Sequence, residues 1–405
     1  MREQGQVRQK TVRYRPIDKR LDALSGIRWG AKTIAQNNPT IRTDRAVQRA
    51  FGRTGCAEQS TIARPLRACT TEHVAQLAKV SWSYLKRYGA TPRHRFHDTR
   101  LWVAIDLPPM PIGAKAEGRE RTWRGRNRSK TGRKTLRITA SPYRESRHET
   151  LLRGTETAVP ALNAALLEVE THLGWSRARR AHIVLRLDGG FGTTEVRNWL
   201  RSRGDHVVAK ISKHGRGQKL RPAIGPWQPT SSPGRDMAAI LRPHRCCRAT
   251  RQWVIRTPQD KGGYHYAVLL TTVLDLEPTA LADAYDSRAM IEATFGQDKQ
   301  ALGLGKRRQH TWEAQQVVLL LARLAHHILL WSKHWLRRVP PTRGRLDGYG
   351  LVRLLQEGMT VPGVIRWRCG WMVSIRFDPL HPLAEALQQG FAALFRGRVR
   401  VGILR

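Results

Sequence analysis

Acidic residues are scarce in this chain. It has 31 Asp and Glu against 72 Lys and Arg over 405 residues, giving a formal net charge of +41 and a sequence pI near 11.5. Basic residues run along the whole length, which excludes a neutral enzyme with one basic tail. The balance points to a polyanionic partner, and nucleic acid is the commonest. Cysteine is also sparse: Cys56, Cys69, Cys246, Cys247 and Cys369 form no C-x-x-C pair and have no His at finger spacing. Neither a zinc site nor a disulfide framework is expected, and a reducing cytosol fits. The first thirty residues lack an apolar core, so no secretory signal is read there. The most apolar stretch, Val317 to Trp331, is interrupted by Arg323, His326 and His327 and reads as a buried helix of a soluble protein. Sequence repeats and low-complexity tracts are not seen. The length allows two or three domains and a substantial core.

Residues 1 to about 40 are rich in Arg, Lys, Gln and Asn and predict a basic arm; helical patches follow at Asp44 to Phe51 and Thr71 to Tyr88. Leu101 to Leu107 reads as a strand with Asp106 inside it, where a carboxylate is costly to bury unless something charged binds it. A strand-end Asp facing solvent is the competing reading. Pro111 to Arg133 predicts a flexible basic loop, Lys134 to Ala140 an edge strand, and Glu149 to Leu173 a long helix ending near Gly174. His182 to Gly192 predicts a strand ending at Asp188, a glycine turn, and then a helix from about Thr193 to Arg203. An Asp at that end of a strand sits where open α/β sheets bind ligands, although Asp-Gly is also a plain turn signal. Strands are expected at Asp205 to Ser212 and Tyr264 to Leu274, separated by an irregular stretch read as an inserted β-rich subdomain. A helix is expected over Thr311 to Trp335.

One further stretch, Leu281 to Leu302, predicts a helix with an apolar stripe of Ala284, Ile291, Phe295 and Leu302. At 3.6 residues per turn Tyr285, Arg288, Glu292 and Lys299 fall within roughly 60° of one another beside that stripe. Arg288 and Glu292 alone would suit an ordinary surface ion pair. The full spacing, Tyr, two residues, Arg, three residues, Glu, six residues, Lys, resembles the Y-R-E-K signature of DDE transposases from bacterial insertion sequences. The strings IDLPPMPIGAKAEG, LRLDGGFG and YDSRAMIEATFGQDKQALGL resemble the three motif blocks of that family, in the family-four superfamily and closest to the family thirteen-eighty branch.

The resemblance implies an α/β fold: a ribonuclease H-like mixed sheet flanked by helices and interrupted by a β-rich insertion, behind a helical N-terminal DNA-binding region. It divides the chain into a basic DNA-binding region (1–98), a first core part (99–212), the insertion (213–262), a second core part (263–338) and a C-terminal appendage (339–405). It implies Asp106, Asp188 and Glu292 as catalytic, metal-binding carboxylates, with Tyr285, Arg288 and Lys299 on the DNA end. Oxygen-only ligands favour Mg²⁺, or Mn²⁺, over zinc. Two such ions would activate a nucleophile and stabilise the leaving oxygen of a phosphodiester. The implied partners are the terminal inverted repeats of the element and target DNA, bound by a homodimer in the nucleoid of the bacterial cytoplasm. The implied reaction is cutting at the element ends and joining of their 3′-hydroxyls to the target. A stand-alone nuclease of the same fold, and an inactive or regulatory DNA-binding derivative, are the competing readings.

Overall fold

The computed structural model describes residues 13–110, 112–121, 131–156, 158–189, 191, 193–211, 224–241, 250–260, 262–306, 309–339 and 346–404. In chain order the α-helices of four or more residues are α1 (Pro16–Arg28), α2 (Arg45–Ala50), α3 (Gln59–Arg67), α4 (Thr71–Tyr88), α5 (Ala158–Leu173), α6 (Arg177–Arg180), α7 (Thr194–Ser202), α8 (Pro278–Asp286), α9 (Ala289–Ala301), α10 (Trp312–Leu336) and α11 (Ala384–Phe395). The strands are β1 (Leu101–Asp106), β2 (Pro109–Met110), β3 (Glu120–Arg121), β4 (Thr131–Ala140), β5 (Glu145–Arg153), β6 (Ile183–Leu187), β7 (His206–Lys210), β8 (Gln228–Pro229), β9 (Asp236–Ala239), β10 (Arg251–Pro258), β11 (Tyr264–Thr271), β12 (Gly363–Arg368), β13 (Trp371–Phe377) and β14 (Arg400–Ile403). The chain divides into two compact units: Met1–Gly89 with Pro111–Arg119 and Phe295–Arg405, and Ala90–Met110 with Glu120–Thr294.

The second unit is built on one large mixed sheet flanked by helices, with strand order β2-β4-β1-β6-β7-β11-β10-β9-β8, and with β3 and β5 also pairing β4. Strands β1, β6 and β7 are parallel neighbours at its centre. Their apolar runs are near-continuous because both faces are covered, and β6 is buried throughout. On one side β4 pairs antiparallel with both β1 and β5, so it is an interior strand rather than the expected edge. On the other side β11 pairs antiparallel with β7, and β10, β9 and β8 extend the same sheet. Much of 213–262 and part of the 111–133 loop lie outside the described residues.

The predicted helix from Glu149 is instead the end of β5, with α5 beginning only at Ala158. Glu145, Arg147, Glu149 and Leu151 are all buried, an alternation of period two carried mostly by charged side chains. Glu149 stands directly opposite Arg137 on β4, and their charged groups pair at 2.8 Å. Burying either ion alone would be costly, so the pair fixes the strand register.

The first unit is helical with a small second sheet. Residues 16–28 were expected in a basic arm but form α1, packed against α10 and α3. Ile17, Leu21, Leu24 and Ile27 recur at helical spacing among the Lys and Arg, and of these Ile17, Leu24 and Ile27 are buried. Asp22 on the same helix is fully buried and accepts from Arg53 Nη2 at 2.5 Å and the Ala57 N–H at 2.8 Å. Residues 1–12 lie outside the described residues. Helix α10, capped by Thr311, is long and apolar enough to cross a membrane, yet 89% of its most apolar window is buried inside the protein. It packs with α1 and α4.

Candidate active site

The carboxylate cluster is built within the sheet-bearing unit. The register pairs Ile105 with Leu187 and Leu187 with Ala209 across β1, β6 and β7. The next residue on each strand is therefore Asp106, Asp188 and Lys210, side by side at the carboxyl ends of three parallel strands. Neighbouring backbones there are about 4.8 Å apart. Asp106 is 7% exposed, which removes the solvent-facing reading, and its Oδ1 accepts the Leu107 N–H at 3.0 Å. Asp188 is half-buried and its Oδ1 accepts the Phe191 N–H at 3.3 Å, which closes the turn into α7.

The single helix expected over Leu281 to Leu302 is broken. Helix α8 ends at Asp286 and α9 begins at Ala289, with Ser287 and Arg288 in the turn between them. The reason is Arg186 on β6, which is almost fully buried and donates Nη1 to the Ala284 carbonyl at 2.5 Å and to Ser287 Oγ. That carbonyl would otherwise accept the Arg288 N–H one helical turn on, but the Arg288 N–H goes to the Tyr285 carbonyl at 3.0 Å. Tyr285 therefore lies on α8, Arg288 in the break and Glu292 on α9, and the break turns Arg288 onto the strand ends. Its Nη1 is 3.2 Å from Asp106 Oδ1 and its Nη2 3.0 Å from Glu292 Oε1. Ile291, Phe295 and Leu302 of the predicted stripe are buried. Lys299 lies farther along α9, where the chain has passed into the other unit, with its ammonium 4.4 Å from the Phe295 ring centre.

The electrostatics record how close these groups stand. Burial raises the Asp106 pKa above the carboxylate range, the Asp188 and Glu292 charges push the same way, and Arg288 opposes them. Burial works against the Arg288 cation, but Asp106, Tyr285, Asp188 and Glu292 outweigh it and raise its pKa. Burial, with help from Asp188, pushes the Tyr285 phenol up to about 12. Burial and the neighbouring Arg288 lower Arg186 to about 10. Lys210 is lowered by burial and by Arg288 and Arg235, with Asp188 pulling the other way. The structure thus brings five of the six expected residues, Asp106, Asp188, Tyr285, Arg288 and Glu292, into one interacting cluster.

Among the described residues no three His, Cys, Asp or Glu side chains stand together as an ion-holding group. What bridges two of the carboxylates is the Arg288 guanidinium. The donor set still suits a hard divalent cation: it offers carboxylate oxygens only, and the burial of Asp106 is tolerated because a positive charge faces it. Two members of the cluster were not anticipated from the sequence. Lys210 could have been found, since it ends the strand after β6 at the same height as Asp188. Arg186 carries no such signal, because an arginine inside HIVLRLDGG looks like an interruption of the apolar run.

Residues 154–328 match the Transposase DDE domain family. The match supports a DDE-type transposase. The matched range takes in Asp188, Tyr285, Arg288, Glu292 and Lys299 and begins after Asp106. Among solved structures, the chain is similar to a cryo-EM structure of the piggyBac transposase synaptic complex with hairpin DNA, at 11% identity and a TM-score of 0.45, over 87% of this chain and 74% of that one. No curated protein matches the chain.

Proposed function

We propose that this chain is a DNA transposase that cuts at the ends of an insertion sequence and joins the freed 3′-hydroxyls to target DNA. The observation that carries the reading is the placement of Asp106 and Asp188 on neighbouring parallel strand ends, with Glu292 linked to Asp106 through Arg288. In this reading the parallel centre and antiparallel flanks of the sheet are a ribonuclease H-like core and residues 1–98 the DNA-binding region. The net charge of +41 supplies attraction for the phosphate backbone.

Asp106, Asp188 and Glu292 are the residues that would hold divalent ions, Mg²⁺ or Mn²⁺, which when bound activate the attacking oxygen and stabilise the leaving one. Asp106 ends β1 and Asp188 follows β6, and each has one oxygen fixed by a backbone N–H. Arg288 and Tyr285 grip the cut DNA end, and Lys299 of α9 is assigned to the same DNA; Arg288 exchanges carboxylate partners for phosphate oxygens, a bidentate site of similar shape. Lys210, beside Asp188, holds positive charge where the scissile phosphate enters. The protein acts as a homodimer on DNA in the bacterial nucleoid.

Glu292→Gln tests the assignment, because it keeps the side-chain shape and removes the charge. The expected result is unchanged affinity for a duplex carrying the element's terminus and loss of metal-dependent cleavage; cleavage at the wild-type rate would show that Glu292 is not the third carboxylate. Cleavage without joining to a second duplex would favour the nuclease reading.

A further inference from the structure

The small sheet of the helical unit has one face without an assigned role. Strands β12 and β13 are antiparallel and β13 and β14 parallel, and the inward side chains Ile365, Ile375, Phe377, Val401 and Ile403 belong to the apolar cluster that includes Leu387 of α11. The opposite face is arginine. Ser374 on the central strand stands directly between Arg366 of β12 and Arg400 of β14, and Arg376 stands between Val364 and Gly402. Arg366, Arg376 and Arg400 are exposed, as is Arg368 two residues along β12. Short side chains floor the middle: a Cβ at Gly402 would meet nothing within 4 Å. The result is an open groove of about 990 Å³ whose lining includes these four arginines and no Asp or Glu. Among the described residues none of the four guanidinium groups is in an ion pair.

Like charges gathered on one face of a sheet repel one another and destabilise the isolated fold. Their cost is offset only when a polyanion enters. Arg366 and Arg400 stand two strands apart, about 9.6 Å, Arg376 is diagonal to both at about 8 Å, and Arg368 follows Arg366 on the same strand at about 6.8 Å, an open spread of donors rather than a point site for one small anion. We propose that this face is a second nucleic-acid surface, binding the phosphate backbone of duplex DNA without reading its sequence. The choice of DNA rests on the transposase reading; the anion-binding face does not.

The test uses the full-length chain and a labelled 30-base-pair duplex of arbitrary sequence, with binding measured by anisotropy across a salt series. The triple variant Arg366→Ala, Arg376→Ala, Arg400→Ala is expected to flatten the slope of log affinity against log salt by about 2 to 3, at about 0.9 for each phosphate that is no longer neutralised. Circular dichroism checks its fold. Ser374→Asp, which sets a carboxylate between Arg366 and Arg400, serves if the triple variant does not fold, and is expected to flatten the slope by about 1. A slope equal to wild type in a folded variant overturns the proposal. Tighter binding of a single-stranded RNA of equal length, lost in the same variants, overturns the assignment to DNA. Binding that behaves as expected in a protein without cleavage activity leaves this surface standing and removes the transposase reading instead.

Discussion

The strand-end cluster and the arginine-faced sheet both present positive charge, and they do so in opposite ways. At the strand ends the two arginines are held by acceptors: Arg288 lies between the Asp106 and Glu292 carboxylates, and Arg186 donates to the Ala284 carbonyl and the Ser287 and Ser141 hydroxyls. On β12 to β14 the cations face solvent with no carboxylate among them. The strand-end cluster, anchored on buried Asp106 and Arg186, specifies geometry, since moving one of these leaves its partner uncompensated. The exposed face specifies only sign and spacing. One arrangement suits chemistry at a single phosphate, the other a grip on many.

The sharpest way to break this comparison is to remove one arginine from each region. Arg186→Met is expected to destabilise the fold by about 3 kcal/mol, because it removes the charged donor shared by the Ala284 carbonyl and the Ser287 and Ser141 hydroxyls, leaving the carbonyl only the Ser287 hydroxyl. Arg366→Ala is expected to change stability by less than about 0.5 kcal/mol, as for surface positions generally. Urea titration reads both, and equal costs would erase the distinction.

A second buried carboxylate sharpens it. Burial pushes Asp205 up to about 6 from its ordinary 3.8, although Arg203 Nε lies 3.1 Å away. The folded state therefore holds its proton more tightly than the unfolded state, so this group costs stability as pH rises from about 4 through about 6. Asp205→Asn is expected to be more stable than wild type by about 1 to 2 kcal/mol at pH 7, with the gain shrinking toward zero at pH 4. Denaturant melts at the two pH values decide it, and a gain independent of pH would show that burial of the charge is not its source. Lys210→Ala is expected to lower cleavage about fivefold, or ~1 kcal/mol, with fold stability nearly unchanged. A wild-type rate would remove Lys210 from the site.

Much of this was readable from the sequence where apolar runs and caps agree. Strands β1, β6, β7 and β11 and helices α7 and α10 lie close to where periodicity predicts them, with Thr193 and Thr311 capping the helices. Asp106 and Asp188 stood out because each closes an apolar strand, where a carboxylate is costly to bury without a charged partner, although a solvent-facing Asp and a plain Asp-Gly turn were the competing readings. What the sequence hid was polar structure. Strand β5 alternates Glu, Arg, Glu, which a search for apolar alternation passes over, and α1 carries its apolar stripe inside a basic segment. The break between α8 and α9 was hidden for a different reason: it depends on a hydrogen bond from Arg186, 98 residues away. Residues 281–302 alone favour one continuous helix, and a tertiary contact overrides that preference.

The most direct test of the central claim is cleavage and joining of a labelled duplex bearing the element's own terminus, in Mg²⁺ or EDTA, by wild type and Asp188→Asn. Joined product is expected from wild type in Mg²⁺ only, with a loss of about 10³-fold or more in the variant, or about 4 kcal/mol of transition-state stabilisation. Specific binding to the terminus with no product under any condition, or product undiminished in Asp188→Asn, would contradict the assignment.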